Sequence, residues 1–144
     1  MSMAYVAAFA AVASTAMAGY SSYEQNKGMA EQAEADAEAQ KAQGRVEAER
    51  IRREKSKVQS QARATLAENG LDVNEGTSVV INDQIEVDGS YDANMAEITG
   101  YNASQRLKSE AGIYRKNANT ALASGALNSF SAGLSAYGSS GGWK

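Results

Sequence analysis

Apolar side chains in the first half of this 144-residue chain recur at the spacings of a long, thinly apolar helix. Residues 22–67 are filled with Ala, Glu, Gln, Lys and Arg, which are the strongest helix formers. Their only glycines are Gly28 and Gly44. An intermittent apolar seam runs through this segment, made by Val46, Ile51, Val58, Ala62 and Leu66. Because so thin a seam buries little surface, the pattern predicts a helix that needs a partner.

A turn follows the long helix. Residues 68–70 read Glu-Asn-Gly, which is typical of a helix C-terminus, and residues 74–78 supply turn residues and then an N-cap. The sequence therefore predicts a hairpin turn near 68–77, with these residues as its determinants: Gly70, Asp72, Gly76 and Ser78.

The segment after the turn, roughly 78–119, has two possible structures. Its start, Val79-Val80-Ile81, is compatible with a short extended stretch over residues 79–87. Helical spacing favours a further helix, weakened at Gly89 and Gly100, along which these residues recur: Ile81, Ile85, Tyr91, Met95, Ile98 and Tyr101. We take the helix as the prediction and the extended stretch as the alternative.

The two ends of the chain carry almost no charge. All but one of the 31 charged residues lie between Glu24 and Lys116. Residues 1–20 form an apolar N-terminal arm that we expect to end at Gly19, with a new helix starting near Ser22, where the spacing to Gln25 fits a capping box. Residues 21–119 form the charged hairpin, and residues 120–144 form an apolar, Gly/Ser-rich C-terminal arm and tail.

Both arms combine a few bulky apolar residues with rows of small ones. The bulky residues are Tyr5, Val6, Phe9, Val12, Leu122, Leu127, Phe130, Leu134 and Trp143. The small ones recur every four residues, at Ala7, Ala11, Thr15 and Gly19 and again at Ala121, Gly125, Ser129 and Gly133. Such rows let helix backbones approach closely, as they do in membranes. The arms are therefore candidates either for insertion into lipid or for burial against other protein subunits.

The order of charges predicts how the two long segments pair. Residues 45–63 carry seven bases and three acids, whereas residues 68–97 carry eight acids and no base. An antiparallel hairpin turning near residue 73 places residue n opposite about 146 − n, so that the basic block of residues 45–57 faces Asp88, Asp92 and Glu97. In the same register the acidic residues 31–38 face Lys108, Arg115 and Lys116. Exposed ion pairs are weak, so the order indicates orientation more than stability.

Conventional enzyme chemistry has little support in the sequence. The chain has no His and no Cys, so the usual general base, the thiolate nucleophile and the best metal ligands are missing. The basic run at residues 50–57 is interrupted by Glu54 and lacks neighbouring aromatics for base stacking. We expect no catalytic, cofactor or metal site and no sequence-specific nucleic-acid binding.

Two stretches of the sequence resemble the small internal virion proteins, also called core or ejection proteins, of T7-like short-tailed bacteriophages. They are Leu66-Ala-Glu-Asn-Gly-Leu-Asp-Val-Asn-Glu-Gly-Thr-Ser78, which resembles that family's hairpin turn, and Ile98-Thr-Gly-Tyr-Asn-Ala103, which resembles part of its second helix. The similarity covers most of the chain.

The resemblance implies a non-enzymatic protein held inside the virion near the portal, with other core or portal proteins as partners. It also implies release at infection and reassembly in the host envelope, in the outer membrane or periplasm, as part of a channel through which DNA passes. A purely structural virion or scaffold protein, and a bacterial secreted translocator or pore-forming hairpin, remain alternatives. The fold we expect is all-α: an elongated antiparallel helical hairpin with weakly apolar helical arms at both termini, assembled as a ring-like homo-oligomer in contact with envelope lipid.

Overall fold

Two long helices make up the fold. The computed structural model describes the backbone of residues 3–139 and the side chains of residues 13–135. Helix α1 spans Met3–Glu68 and helix α2 spans Thr77–Ser139, and the two pack antiparallel. The described residues contain no strand, so the predicted all-α hairpin is confirmed and the extended alternative for residues 79–87 is wrong.

Helix α1 is longer than the sequence signals suggested. It runs without a break through Gly19 and Ser22, so the expected helix end and restart at these positions are wrong. The capping-box spacing has no role because the free N–H groups that a box would satisfy are already bonded within the helix. Helix α2 likewise continues through Gly89 and Gly100.

The connection at residues 69–76 is fixed by local hydrogen bonds. The Leu71 N–H donates to the Leu66 carbonyl at 3.0 Å, and the Gly70 N–H donates to the Ala67 carbonyl at 3.0 Å. This is the Schellman arrangement, which requires a left-handed residue, and Gly70 supplies it with φ 73°. The Asn74 N–H then donates to Asp72 Oδ1 at 2.8 Å, and Gly76, with φ 64°, leads into α2.

Contacts divide the chain into two units. We call Asp36–Leu107, which contains the connection, the loop unit, and Met1–Ala35 together with Lys108–Lys144 the arm unit. In the loop unit the fully buried apolar side chains are all alanines: Ala37, Ala48 and Ala93. In the arm unit Ala30, Ala33 and Ala111 form a cluster against which Tyr114 packs. Small side chains therefore make the helix interface in both units, as the composition predicted.

Inward-facing positions repeat every eleven residues. In the loop unit Ala37, Ala48 and Gln59 follow this step on α1, and Gly89 and Gly100 follow it on α2. In the arm unit Ala118 and Ser129 do the same. A period of eleven corresponds to 3.67 residues per turn rather than the 3.5 of a left-handed coiled coil. The predicted seam is consequently wrong in part, since Val46 and Val58 are exposed while Ile51, Ala62 and Leu66 face inward.

Candidate assembly surfaces

The two helix backbones approach each other closely in the loop unit at a pair of glycines. A Cβ atom built on Gly44 would lie 2.8 Å from the Gly100 Cα and 3.0 Å from the Ala96 carbonyl oxygen. A Cβ on Gly100 would lie 2.7 Å from the Gly44 Cα. Real side chains do not tolerate such distances to backbone atoms, so the helices meet here only because both residues are glycine. The two residue numbers total 144, close to the register of 146 predicted from charge order.

Two ion pairs join the helices between this glycine contact and the connection. Arg52 donates to Glu97 at 3.3 Å, and Lys55 Nζ donates to Glu86 at 2.6 Å. The pKa of Glu86 is held below its ordinary value, chiefly by the hydrogen bond from Lys55 and then by those from Ser90 and Gln59. The predicted pairing of the basic block with Glu97 is therefore confirmed. Asp88 and Asp92, also predicted to pair, make no ion pair within the described residues, and Asp88 instead accepts a hydrogen bond from Gln84 at 2.8 Å.

The arm unit has its own glycine contact. A Cβ on Gly19 would lie 2.9 Å from the Gly125 Cα and 3.2 Å from the Ala121 carbonyl oxygen. One small-residue pair further along, the Thr15 and Ser129 hydroxyls lie 3.3 Å apart. Glu34 and Arg115, a pair that the charge order predicted, meet at 2.6 Å. Of the predicted small-residue rows, Thr15, Gly19, Ala121, Gly125 and Ser129 thus take part in the arm contact.

Bulky side chains of the C-terminal arm point away from that contact. Leu127 and Phe130 are each 69% exposed, and Leu122 and Leu134 are also exposed. Phe130 and Leu134 border a shallow groove with Ala126 and Gly133 on the surface of α2. Small residues therefore face the partner helix and large apolar ones face outward, which is the reverse of a soluble amphipathic helix.

The other predicted arm residues lie outside the described side chains or outside the described backbone. They are Tyr5, Val6, Ala7, Phe9, Ala11, Val12 and Trp143. Across the portion of the chain that is described, no helical stretch is both long and apolar enough to span a membrane.

The predicted turn residues take different positions. Gly70, Asp72 and Gly76 lie in the connection, where the first and last adopt the left-handed conformation and Asp72 makes the side-chain turn. Ser78 lies inside α2 and is buried, and its carbonyl accepts a hydrogen bond from Asn82 Nδ2 at 3.1 Å. The helix starts at Thr77, two residues before the start at Val79 that an N-cap at Ser78 would give.

Comparison with family models, with curated proteins and with solved structures found no match to this chain.

The outward face of α2 in the loop unit carries a row of exposed apolar residues. We call Val80, Val87, Tyr91 and Ile98 the α2 outer stripe, and each is between 51% and 66% exposed. Each lies two residues from an inward-facing position, about 200° around the helix, so the stripe points away from α1. Beside it stand Asp83, Asp88 and Asp92, which have no basic partner within the described residues.

The outward face of α1 in the same unit is basic. We call Val46, Arg50, Arg53 and Lys57 the α1 outer row, which follows helical steps of four, three and four residues. Val46 is 70% exposed and borders a shallow depression together with the three basic residues of the row and with Arg45, Glu49 and Glu54, so that bases outnumber acids four to two there. Arg50 is paired with Glu47 at 2.5 Å within the helix, whereas Arg53 and Lys57 make no ion pair among the described residues. The loop unit thus has one apolar-acidic face and one basic face.

Sequence reasoning missed both outer faces. Val46 was expected in the seam between the helices, and Ile98 and Tyr91 served only as evidence of helical spacing. The signal that would have found them is the eleven-residue step of small residues, which identifies Gly44, Ala48, Gly89 and Gly100 as inward. Residues two positions away, about 200° around the helix, then face outward, as Val46, Tyr91 and Ile98 do.

Proposed function

We propose that this protein is an internal virion protein of a short-tailed bacteriophage, released at infection to form, as several copies, part of a channel that carries DNA across the host envelope. The observation that carries the proposal is the inverted arm unit, in which glycine and other small residues join the helices while Leu127, Phe130 and their neighbours face outward. The resemblance at the turn supports the same function.

The inverted arrangement suits a lipid-facing helix pair. Lipid chains are as apolar as leucine side chains, so helices in a membrane associate through close backbone packing and hydrogen bonds rather than through burial of large side chains. The contact between Gly19 and Gly125 and the hydroxyl pair of Thr15 and Ser129 provide these two interactions. The outward apolar residues would then meet acyl chains.

Assembly compensates for the weak apolar character of each arm. Alanine and serine gain little on transfer to lipid, so one copy has a small driving force to enter a membrane. Several copies that enter together place their outward residues against lipid and against one another. Before infection we expect the same residues to lie in contacts with core or portal proteins of the virion.

The loop unit is the part expected to remain in water. Its helices carry charged side chains on both outer faces and pair through Arg52–Glu97 and Lys55–Glu86. It would form the collar or periplasmic part of the conduit. DNA would pass through without sequence-specific contacts.

Vesicle flotation and dye release test the membrane step. The full chain is mixed with vesicles of phosphatidylethanolamine and phosphatidylglycerol, and we expect it to float with them and to release an encapsulated dye. The variant Leu127→Ser/Phe130→Ser should lose most of the release, because both side chains are exposed and contribute little to the fold. The matched control is Val58→Ser/Val79→Ser, two exposed apolar residues of the loop unit, which should behave as the wild type.

Two outcomes count against the channel. A chain that neither floats nor releases dye at any concentration indicates a purely structural virion protein whose arms stay in protein contacts. Equal loss of release in the arm variant and in the control would show that general apolarity, and not the arm unit, is responsible.

A further inference from the structure

The two outer faces of the loop unit are opposite in charge and each contains apolar surface. The α2 outer stripe is bordered by three aspartates, whereas the α1 outer row contains Arg53 and Lys57, which have no ion-pair partner among the described residues. Glu49 and Glu54 lie beside that row but are already paired with Arg52 and Arg50. Both faces lie on one unit but point in opposite directions, so they cannot meet within a molecule. They can meet between molecules.

Charge decides which partner fits. Two α2 outer stripes placed face to face would bring aspartates against aspartates, and like charges across an interface are unfavourable. A basic surface with apolar patches satisfies both the stripe and its aspartates. The α1 outer row is such a surface on the chain itself.

The residues of the stripe lie opposite suitable residues of the row when two copies stand side by side without a shift along the helix axes. We call the height of a residue along these axes its level. The Gly44–Gly100 contact fixes the level, since paired residue numbers total 144. Ile98 then lies at the level of Val46, and Tyr91 lies at the level of Arg53. Val87 lies at the level of Lys57. The first pair makes an apolar contact, and in the second the guanidinium group lies on the tyrosine ring. In the third the valine packs against the aliphatic stem of the lysine, whose ammonium group can reach an aspartate one turn away.

We propose that the α2 outer stripe of one copy docks on the α1 outer row of a second copy at the same level. Because the two surfaces differ, a dimer keeps one free surface of each kind, a row on one copy and a stripe on the other, and the contact repeats from copy to copy. The inference deepens the proposed function and rests on it only for the need of more than one copy.

Engineered cysteines test the level of the contact. The chain has no Cys, so introduced pairs give unambiguous disulfides. Under oxidation without lipid, the full chain carrying Val46→Cys/Ile98→Cys should form a ladder of dimers, trimers and larger species, since a disulfide needs Cα atoms within about 7 Å. The matched control Val46→Cys/Val80→Cys should give no ladder, because Val80 lies 18 residues, or about 27 Å, before Ile98 on α2.

Single variants distinguish other modes of association. Dimers formed by Ile98→Cys alone would show that two stripes face each other, and a ladder from the control pair would show a different level. Either result overturns the proposal. So does a wild-type chain that stays monomeric at all concentrations in mass photometry.

Charge reversal tests complementarity on the same full chain. Arg53→Glu/Lys57→Glu and Asp83→Lys/Asp88→Lys should each weaken self-association by about tenfold or more, because each variant sets like charges against each other. An equimolar mixture of the two should associate again, since the acidic row of one copy then faces the basic stripe of the next. Failure of the mixture to recover, with both variants helical by circular dichroism, overturns the proposal.

The two proposals fail separately. If the charge variants lose association but dye release persists, the protein acts on membranes without this interface. If the ladder forms but no release occurs, the interface stands and the channel does not. If a virion protein other than this chain occupies the stripe, the wild type remains monomeric and the proposal falls.

Discussion

The glycine contacts of the loop unit and of the arm unit join the same two helices in different surroundings. In the loop unit the glycine contact is accompanied by two ion pairs that tie specific residues of α1 to specific residues of α2. The arm unit also has an ion pair between the helices, Glu34–Arg115, but residues 13–23 and 117–135, where Gly19 meets Gly125, contain no charge, and glycine packing and a hydroxyl pair join the helices there. The difference teaches that charge specifies which residues pair, whereas small residues alone specify only how closely the helices approach.

The largest effect should follow from filling the glycine contact of the loop unit. Gly44→Ala places a Cβ 2.8 Å from the Gly100 Cα, and the two ion pairs between this contact and the connection oppose a shift of the helices. We expect the free energy of unfolding to fall by about 1–3 kcal/mol, the usual cost of overpacking. Urea denaturation followed by circular dichroism measures it.

Gly112→Ala is the matched control for that substitution. Nothing lies within 4 Å of a Cβ at Gly112, which is helical and exposed. Replacing a mid-helix glycine with alanine should therefore raise the free energy of unfolding by about 0.5–1 kcal/mol. If Gly44→Ala were stabilising as well, the close approach of Gly44 and Gly100 would not exist in solution.

A smaller effect is expected from the equivalent change in the arm unit. Gly125→Ala places a Cβ 2.9 Å from the Gly19 Cα, but no ion pair holds residues 117–135 in place, so the helices can separate slightly. We expect a loss of about 1 kcal/mol or less, near the lower limit for overpacking. Hydrogen exchange should show it as faster exchange confined to residues 13–23 and 117–135. Equal protection in the variant and the wild type would remove the distinction between the two units.

The smallest effect concerns Glu86 and pH. Its pKa is lowered from 4.5 chiefly by the hydrogen bond from Lys55, so it contributes stability that is present above the unfolded value and is lost as pH falls through the folded value. Between about pH 6 and about pH 3 the wild type should lose more stability than Glu86→Gln, which lacks this titration. Thermal unfolding at both pH values measures the difference. Parallel curves for the two proteins would show that the Lys55–Glu86 pair is not formed.

Charge order and composition were sufficient to predict the hairpin. The register of 146 brought Arg52 near Glu97 and Glu34 near Arg115, because complementary blocks leave few alternative alignments. The high content of alanine and glycine predicted helices that meet through small side chains. Both inferences use properties averaged over whole segments. They therefore stay correct even when the position of a single residue is predicted wrongly.

Individual glycines and valines were harder to interpret. Gly19 has the character of a helix end, yet it is used for contact with Gly125, and only the partner helix distinguishes these roles. Val46 was placed in the seam on hydrophobicity alone, but it lies two residues, about 200°, from the inward-facing Gly44 and Ala48 and so points away from α2. The function of the arms depends on what surrounds them, which a single chain does not contain.

The core made of alanines sets how the hairpin opens. A buried alanine removes little apolar area from water, so each inward step of eleven residues contributes a small and similar free energy. Stability then accumulates along the helix pair in the manner of a linear repeat, in which each step depends mainly on its neighbours. Such a pair can unzip turn by turn from a free end, and a helix released in this way is available to another molecule without unfolding of the remainder.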